Sequence, residues 1–287
     1  MSNDPEQTIN DGGTVTGLQH DDKHAIISAI ANTGFCILPS FLSAFDLAHL
    51  RADCDRVVAA ASPTISSCIY EPVNTQDAHT SLRTHPATYG AARQNDHVLS
   101  LLLGRTKSGK RLMELVRVVL GDEVYVLNEQ YVVKPPISRK RSRDGRSNTA
   151  TAFKWHRDAD YLRQAGIPRP EPSISVWCAL DDVNDRNGTL VFAPLDNAQE
   201  RVVVQETAGT VVLIASEVLH HSNSNKTARA RRVWMPQYSA GPQRWEIGAS
   251  NDGQGSAFAA LAIGIEHQEQ RGGVWTKVLW GPEDYSL

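Results

Sequence analysis

The spacing of apolar residues changes near Gly121 and divides the chain into a helical first part and a β-rich second part. In the first part, apolar residues recur at helical spacing and predict three helices. The first covers Asp21–Ala31, the second carries an apolar stripe over Phe45–Val58, and the third covers Arg111–Leu120. Ser43, followed by an acidic residue three positions on, has the spacing of a capping box and marks the start of the second helix.

Short β-like runs follow the third helix and are separated by turn-forming dipeptides such as Asn187-Gly188 and Ala208-Gly209. Together with an early run at Phe35–Leu38, they predict strands at 174–180, 189–192, 201–204, 210–215 and 233–238. Many short strands at near-regular spacing favour a double-sheet jelly roll. We therefore expect a mostly β fold with flanking helices. Its core is a double-stranded β-helix, cupin-like, with the N-terminal helices packed on one sheet.

The remaining stretches complete the predicted organisation of the chain. Residues 1–18 are rich in Gly, Thr, Asn and Asp and are expected to form a flexible tail. Residues 62–108 carry few periodic signals and are expected to be irregular structure around a site. Residues 250–287 look less regular and are expected to wrap the outside. The chain has no internal repeat, so residues 19–287 are interpreted as one domain.

Composition limits the classes of partner that this chain can have. A hydrophobic content of 41% and a charged content of 21% are ordinary for a globular protein. The net charge of −3 gives no general attraction to nucleic acid or to an anionic membrane. No apolar run approaches the roughly 20 residues of a membrane span, and the polar N-terminus lacks a signal-peptide pattern. We expect a small-molecule partner, no nucleic acid and no membrane, and leave a homodimer open.

The cysteines point to a reducing compartment. Cys36, Cys54, Cys68 and Cys178 include no close pair, and their surroundings are mostly apolar. Buried reduced thiols in a cytoplasmic protein are therefore favoured over disulfides. The basic stretch Arg139–Arg146 is interpreted as a solvated loop. A nucleic-acid patch, a lid and a contact to an anionic substrate stay open as alternatives.

Candidate chemistry begins with the triplet His156-Arg157-Asp158. On a strand, residues two positions apart point to the same side, so the imidazole and the carboxylate are expected to project together. The distant His220, which follows a predicted strand, can add a second imidazole. Two imidazoles and one carboxylate on one face of a metal are typical of non-haem Fe(II) oxygenases. The other His-x-Asp triplet, at His20, is interpreted as a solvated helix start.

Several motifs, taken in order, carry a resemblance to a known family. They are Gln130 with Lys134-Pro135-Pro136, then Trp155-His156-x-Asp158-x-x-Tyr161, then His220-x-Ser222-x-x-Asn225, then Arg229-x-Arg231-Arg232. This set resembles the phytanoyl-CoA dioxygenase family over roughly residues 20–240. The family consists of Fe(II)- and 2-oxoglutarate-dependent oxygenases on a double-stranded β-helix. Gly34–Leu42 and Ala179–Gly188 are similar to it as well.

The resemblance implies roles for individual residues. His156, Asp158 and His220 match the iron ligands. The co-substrate 2-oxoglutarate is expected to bind residues at five matching positions, which are Arg231, Ser222, Ser175, Gln130 and Phe153. Fe(II), 2-oxoglutarate and O2 are the implied cofactors. Arg229 and Arg232 are expected to face away from Arg231.

Departures from the family pattern fall outside the ligand set. Ala193-Pro194 stands where the family has a Pro-Gly-Ser-His segment, and Gly209-Thr210 replaces a common Gly-Asp. Both changes lie in turns. Halogenating relatives lose the carboxylate ligand, so the presence of Asp158 disfavours halogenation.

The expected function is a dioxygenase that hydroxylates, desaturates or rearranges a lipophilic small molecule, such as a secondary-metabolite intermediate. The alternative is that the substrate is an acyl-CoA and the protein is an acyl-CoA hydroxylase of the same family. Two other classes stay open: a non-catalytic jelly-roll binding protein, and a Zn(II) hydrolase that uses the same three ligands. Tyr70, Tyr161 and Trp234 are candidates to line the substrate pocket, although large aromatic residues are more often structural.

Overall fold

The computed structural model describes a large part of the chain, and the residues outside it receive no structural account below. It describes residues 22–60, 69–70, 96–134, 136, 152–164, 167, 169–241, 244–247, 257–260 and 263–264. The predicted tail at 1–18 and the loop at 139–146 lie outside these ranges. The division into a tail and a single domain therefore stays a prediction.

Helices dominate the first part of the described chain, as the apolar spacing predicts. They are α1 (Lys23–Thr33), α2 (Ala44–Ala60), α3 (Asp96–Leu102), α4 (Lys107–Leu120) and, further on, α5 (Asp158–Gln164). Asp22 caps α1 by accepting a hydrogen bond from Ala25 N, and Gly34 ends the helix in the left-handed region. At the start of α2, Asp46 N donates to Ser43 Oγ at 3.0 Å, as in a capping box, while the Ser43 hydroxyl donates to the Asp46 carboxylate at 2.5 Å.

Two details of the helical prediction are wrong. The region 62–108 is not irregular throughout, because α3 and the beginning of α4 lie within it. Phe45 was placed in the apolar stripe of α2, yet 62% of its surface is exposed. Its ring lies instead against that of His49, one turn along the same helix, in a tilted arrangement with 4.1 Å between ring centroids.

The strands form two main sheets and a separate hairpin. In chain order the strands are β1 (Phe35–Leu38), β2 (Ile69–Tyr70), β3 (Tyr125–Lys134), β4 (Phe153–His156), β5 (Ser173–Ala179), β6 (Leu190–Ala193), β7 (Val202–Val203), β8 (Val211–Ala215), β9 (Leu219–Ser222), β10 (Arg231–Ser239), β11 (Arg244–Ile247), β12 (Ala257–Ala260) and β13 (Ile263–Gly264). The major sheet has the order β1-β8-β5-β10-β3-β13, with β2 also paired to β3. The minor sheet has the order β4-β9-β6-β7. Strands β11 and β12 pair with each other.

Each face of the major sheet packs against a different layer. Its inner face meets the minor sheet in a core that includes Ile37, Trp177 and Phe192. Its outer face packs against the helices through residues such as Leu213 and Trp234. The predicted jelly-roll class, with N-terminal helices on one sheet, is therefore confirmed. Residues that alternate along β3, β5 and β10 point into the space between the sheets or toward the helices.

A buried polar cluster lies on the helical side of the major sheet. Trp234 Nε1 donates a hydrogen bond to Glu129 Oε1 at 2.6 Å, and Tyr131 donates from its hydroxyl to Asp53 Oδ2 at 2.8 Å. Glu129 is almost completely buried, and this burial raises the pKa of its carboxyl group to about 7. Trp234 therefore has a structural role under the helices and does not line a pocket between the sheets.

The described cysteines are free and buried, as expected. Cys36, Cys54 and Cys178 lie in the core on the helical side of the major sheet. Burial raises the pKa of the Cys36 thiol to about 12, so it stays protonated and unreactive near neutral pH. Across the described ranges, none of the helices combines the length and the apolar composition that a membrane crossing requires. The cytoplasmic location stays a prediction.

Glu129→Gln should change the pH dependence of stability. The pKa of Glu129 is about 7 in the folded protein and 4.5 as the reference value for the unfolded chain. The protonated carboxyl group therefore contributes its full stability below pH 4.5, and the free energy of unfolding falls as pH rises from there through 7. The glutamine keeps an acceptor for Trp234 but cannot ionise. Between pH 5 and pH 8 we expect the wild-type free energy of unfolding to fall by on the order of 2–3 kcal/mol more than that of the variant. Urea unfolding at both pH values measures this difference. Exposed Glu114 offers the control Glu114→Gln, which should match the wild type, and parallel profiles for wild type and Glu129→Gln would contradict the assignment.

Candidate metal centre

His156, Asp158 and His220 meet in the space between the two sheets. Asp158 Oδ1 lies 3.8 Å from His156 Nε2 and 3.8 Å from His220 Nε2. One ligand atom from each residue lies within 4.8 Å of the others. Within the described parts of the chain, no other set of three or more His, Cys, Asp and Glu side chains meets this criterion. The predicted ligand set is thus brought together by the fold.

Both imidazoles are oriented by carbonyl groups behind them. His156 Nδ1 lies 2.7 Å from the carbonyl oxygen of Lys154, and His220 Nδ1 lies 3.1 Å from that of Val218. A carbonyl oxygen can only accept, so each Nδ1 carries the proton and each Nε2 offers a lone pair toward the centre. Metal-binding histidines in proteins are commonly oriented in this way.

The pKa of His156 is lowered, chiefly by burial and then by the nearby His220. A lowered pKa favours the neutral imidazole, which is the form that binds a metal. The acidic side chains Asp158 and Asp160 oppose this shift without overcoming it. The electrostatics of the pocket therefore suit coordination by His156.

Asp158 does not lie on the strand that the sequence predicts for it. The prediction placed His156 and Asp158 on one strand with both side chains on the same face. In the structure β4 ends at His156, and Asp158 is the first residue of α5. The turn between them still brings the carboxylate beside the imidazole. Arg157 points away, as expected, and donates from Nε to the carbonyl oxygen of Glu217 at 3.1 Å.

Strand pairing brings the distant histidine to the first half of the site. His156 on β4 lies directly opposite His220 on β9, and Phe153 lies opposite Ser222. The turn before β9 is also held to α5. Ala159 N donates to the carbonyl oxygen of Ser216 at 3.0 Å, and Arg163 forms an ion pair with Glu217. The two halves of the centre are therefore joined by both backbone and side-chain contacts.

The second carboxylate oxygen of Asp158 faces the major sheet. Ser175 Oγ donates a hydrogen bond to Oδ2 at 2.5 Å, and Gln237 Nε2 donates to Ser175 Oγ at 2.7 Å. Ser175 was predicted to contact 2-oxoglutarate, and that role stays a prediction. The described contact of its hydroxyl group is with a metal ligand. Sequence reasoning missed Gln237, because no motif marks it.

A pair of buried cations lies further along the same inner face. Arg231 on β10 is the direct partner of Lys134 on β3, and the two residues are 2% and 0% exposed. Arg231 donates to the carbonyl oxygen of Gly188 at 2.7 Å, and its guanidinium lies 5.7 Å from the ring centre of Trp177. Lys134 Nζ donates to Ser222 Oγ at 2.7 Å. The fold thus concentrates positive charge where an anion is expected to bind.

Lys134 is the main residue that sequence reasoning left without a role. Its place before Pro135-Pro136 was noted as part of a motif, yet a lysine next to prolines usually lies at the surface. The pattern of the strand was the available signal, because Gln130, Val132 and Lys134 alternate with Tyr131 and Val133. Val132 belongs to the core between the sheets, so Lys134 shares its face.

The other predicted co-substrate residues line the same space. Phe153 packs against the core between the sheets, and its ring centre lies 5.4 Å from Lys134 Nζ. Gln130 is 7% exposed and lies on the inner face of β3, opposite Met235. Ser222 contacts Lys134. Their direct contact with 2-oxoglutarate stays a prediction.

Gly188 permits the close approach of the segments around the cations. Its φ of +78° lies in the left-handed region, and a Cβ atom there would lie 2.3 Å from the carbonyl oxygen of Asn223 and 2.8 Å from Lys134 Cδ. A side chain would therefore displace the backbone that supports Arg231. The Asn187-Gly188 turn predicted from sequence has a direct part in building the site.

Arg232 faces the opposite side of β10, as expected. Its guanidinium donates to Asp181 Oδ1 at 2.7 Å and to Asp55 Oδ1 at 2.9 Å. These contacts attach the strand to helix α2. Arg229 is exposed and precedes β10. Only Arg231 of these three arginines enters the space between the sheets.

Of the predicted pocket aromatics, Tyr161 lies nearest the centre. Its ring centre is 5.2 Å from that of His156, and 38% of its surface is exposed. Burial and the nearby Asp158 raise its pKa to about 12, so the hydroxyl group stays protonated. Trp155 packs instead against His221, which alternates with the inward-facing His220. Tyr70 lies on β2, and its side chain is outside the described part of the structure.

Two sheets with a His-x-Asp…His set between them define a jelly-roll protein whose three clustered side chains could hold one metal ion. The sequence profile described as phytanoyl-CoA dioxygenase (PhyH) matches residues 30–233, which is more than half of the chain. The chain belongs to the phytanoyl-CoA dioxygenase family. The resemblance read from its motifs is confirmed.

Curated relatives match a shorter part of the chain. The ectoine dioxygenase of Bordetella bronchiseptica is 33% identical over 112 residues, which is 39% of this chain and 32% of that protein. The ectoine dioxygenase of Bordetella parapertussis matches to the same extent. The aligned region thus spans about a third of these relatives.

Solved structures share the fold over most of the chain. EctD from S. alaskensis, with 2-oxoglutarate and 5-hydroxyectoine, has a TM-score of 0.58 and 21% identity, covering 84% of this chain and 88% of that one. The epimerase SnoN, in complex with Fe3+, alpha ketoglutarate and nogalamycin RO, has a TM-score of 0.55 and 16% identity, covering 82% and 92%. At these identities the likeness establishes a shared fold.

Asp158→Ala should abolish high-affinity binding of a divalent metal. The change removes the only carboxylate of the described ligand set and leaves two imidazoles. Isothermal titration of the full-length protein with Co(II), without oxygen, measures the effect, and we expect the affinity to fall by at least a hundredfold. His20→Ala changes the other His-x-Asp triplet and should leave binding unaltered. Wild-type affinity in Asp158→Ala, or a large loss in His20→Ala, would place the centre elsewhere.

Proposed function

We propose that this protein is a non-haem Fe(II)- and 2-oxoglutarate-dependent dioxygenase that oxidises a C–H bond of a lipophilic small molecule. One observation carries the proposal: a His-Asp-His centre and a pair of buried cations lie on the facing inner surfaces of one jelly roll. Family membership agrees with it. The metal side chains and the cations have separate tasks.

The donor set fits a ferrous ion. Two neutral imidazoles and one carboxylate form a facial set that leaves further coordination positions open. Fe(II) would supply the activation of O2, coupled to the oxidative decarboxylation of 2-oxoglutarate to succinate and CO2. The chain itself holds His156 and His220 in register by strand pairing and turns both imidazoles through the carbonyl groups behind them. Its task is ligation, orientation and the exclusion of water.

The buried cations fit the far carboxylate of 2-oxoglutarate. Arg231 and Lys134 are nearly free of solvent, and each buried charge costs roughly several kcal/mol of lost hydration. A carboxylate bound between them would offset this cost and would accept hydrogen bonds from both. Ser222 already accepts from Lys134, so its own hydroxyl hydrogen is available to the same carboxylate. A second carboxylate and a keto group on the same small molecule could then reach the iron.

Apolar surroundings favour a lipophilic substrate over an acyl-CoA. Phe153 and Phe192 flank the imidazoles, with ring centres 6.2 Å from His156 and 5.8 Å from His220. Met235 packs into the same core. The basic stretch Arg139–Arg146, the candidate for binding a CoA phosphate, lies outside the described residues. A small molecule such as a secondary-metabolite intermediate therefore remains the favoured class, and hydroxylation is the default outcome.

The rival classes make different demands on the site. A Zn(II) hydrolase would use the three metal ligands but has no need of two buried cations. A non-catalytic binding protein could keep both features without turnover. An assay of succinate formation separates the oxygenase from both rivals. It uses Fe(II), 2-oxoglutarate and a panel of terpenoid, polyketide and acyl-CoA substrates. Succinate that requires Fe(II) and O2, and rises with one of these substrates, supports the oxygenase. Anaerobic hydrolysis with Zn(II), or no succinate with any metal, would overturn it.

Arg231→Met should raise the apparent KM for 2-oxoglutarate by on the order of a hundredfold, because truncating one partner of a buried charge pair typically costs 2–5 kcal/mol. The apparent requirement for Fe(II) should change little, since Arg231 is not a metal ligand. Lys134→Met should act in the same direction. Succinate formation at varied 2-oxoglutarate, with or without a substrate, measures both.

The neighbouring arginine is a matched control for this experiment. Arg232→Met removes an identical side chain one position further along β10, on the face toward the helices. It should leave the KM for 2-oxoglutarate within about twofold of the wild type while lowering thermal stability through the lost contacts to Asp55 and Asp181. Equal effects of the two arginine variants on KM would contradict the anion site.

A further inference from the structure

The carboxylate of Asp158 presents its two oxygen atoms to different environments. Oδ1 faces the two imidazoles, at 3.8 Å from each Nε2 atom. Oδ2 faces the major sheet, where it accepts a short hydrogen bond from Ser175 at 2.5 Å and a longer one from Gln237 Nε2 at 3.4 Å. The sheet thus engages one oxygen atom and directs the other at the metal position. A carboxylate held in this way occupies one coordination position and leaves the remainder open.

The hydrogen bonds that hold Asp158 form a chain with one direction. An ionised carboxylate only accepts, so Ser175 uses its single O–H on Asp158. Ser175 Oγ must then accept from Gln237, whose Nε2 lies 2.7 Å away. This requirement orients the Gln237 amide, with its nitrogen toward Ser175. Gln237 therefore reaches Asp158 in two ways, by its short bond to the serine at 2.7 Å and by a longer direct hydrogen bond at 3.4 Å, and the shorter contact is the one through the serine.

The sheet builds this chain with a local irregularity. Ser175 on β5 and Gln237 on β10 are direct cross-strand partners, which brings side chains on one face within about 5.5 Å. Beside Gln237 the register of β3 and β10 shifts and leaves Leu127 as an extra residue. Leu127 packs against Ile167 and Leu162 near the end of α5, the helix that Asp158 begins. Irregularities of this kind often adjust side chains next to active sites.

We propose that Gln237 is a positioning residue that acts through Ser175 to hold the Asp158 carboxylate with one oxygen toward the metal. The inference rests on the proposed function, because it takes a divalent metal at the centre as given. Without the chain, the carboxylate can rotate about its side-chain bonds. Metal binding must then order it, and affinity falls.

Titration of the full-length protein with Co(II) alone, without oxygen and without 2-oxoglutarate, tests this role. Leaving out the co-substrate separates any direct contact of Ser175 with 2-oxoglutarate from its effect on Asp158. Gln237→Leu and Ser175→Ala should each weaken Co(II) binding about tenfold or more, the usual effect of losing an outer partner of a metal ligand. Ser175→Thr keeps the hydroxyl group and should restore most of the affinity.

The double variant decides whether Gln237 acts through the serine. If the chain has one direction, Ser175→Ala with Gln237→Leu should bind Co(II) as weakly as Ser175→Ala alone. Additive losses would overturn the inference, as would a Gln237→Leu affinity within twofold of the wild type. If Gln237→Leu does not fold, Gln237→Met removes the N–H donor at a similar side-chain length and adds no charge. The same loss is expected from it, and wild-type affinity in this variant would equally overturn the inference.

A second buried serine on the same sheet is the matched control. Ser239 on β10 donates to the carbonyl oxygen of Gly241 at 2.6 Å and has no described contact with the metal ligands. Ser239→Ala should keep wild-type Co(II) affinity, and an equal loss there would show a general effect of the sheet and overturn the role of Gln237. Failure of the wild type itself to bind Co(II) would overturn the proposed function as well, so the two failures are distinguishable.

Discussion

The antiparallel pairing of β4 with β9 is the contact on which the proposed chemistry depends. It places His156 opposite His220, although the two residues are far apart in the sequence. The carbonyl groups of Lys154 and Val218 then turn both imidazoles inward. A slip of one residue in this pairing would turn one of the two imidazoles to the other face of the sheet. The contacts between α5 and the turn before β9 oppose such a slip.

Buried charge is the second constraint, and it limits what the site can bind. The space between the sheets holds Lys134, Arg231 and the Asp158 carboxylate beside aromatic and aliphatic side chains such as Trp177 and Phe192. Buried cations are unfavourable in a protein interior unless charge or dipoles offset them. Carbonyl oxygens around Gly188 and Asn223 supply part of this compensation. An anionic co-substrate between the cations would complete it, which gives the predicted use of 2-oxoglutarate a physical reason beyond family membership.

Both sides of the major sheet contain carboxyl groups, and their surroundings give them different roles. Asp158 receives a hydrogen bond from Ser175 and faces the imidazoles of His156 and His220, where it can take part in holding a metal. Glu129 lies under the helices with Trp234 as its donor, and burial raises its pKa to about 7. A carboxyl group is therefore placed to bind a metal between the sheets, and another is part of the buried packing under the helices.

The sequence alone determined the helical first part, the jelly-roll class and the set of three side chains that we propose as metal ligands, because these follow from local apolar spacing and from short motifs. It predicted neither α3 nor β9. It was wrong about the local structure at Asp158, since a short helix that begins there has too few residues for a periodic signal. Only the tertiary structure decided the roles of Lys134 and Gln237. Lys134 contacts Ser222, 88 positions away, and Gln237 contacts Ser175, 62 positions away. Such contacts depend on which strands pair and in which register, and that choice is made by the packing of the whole core.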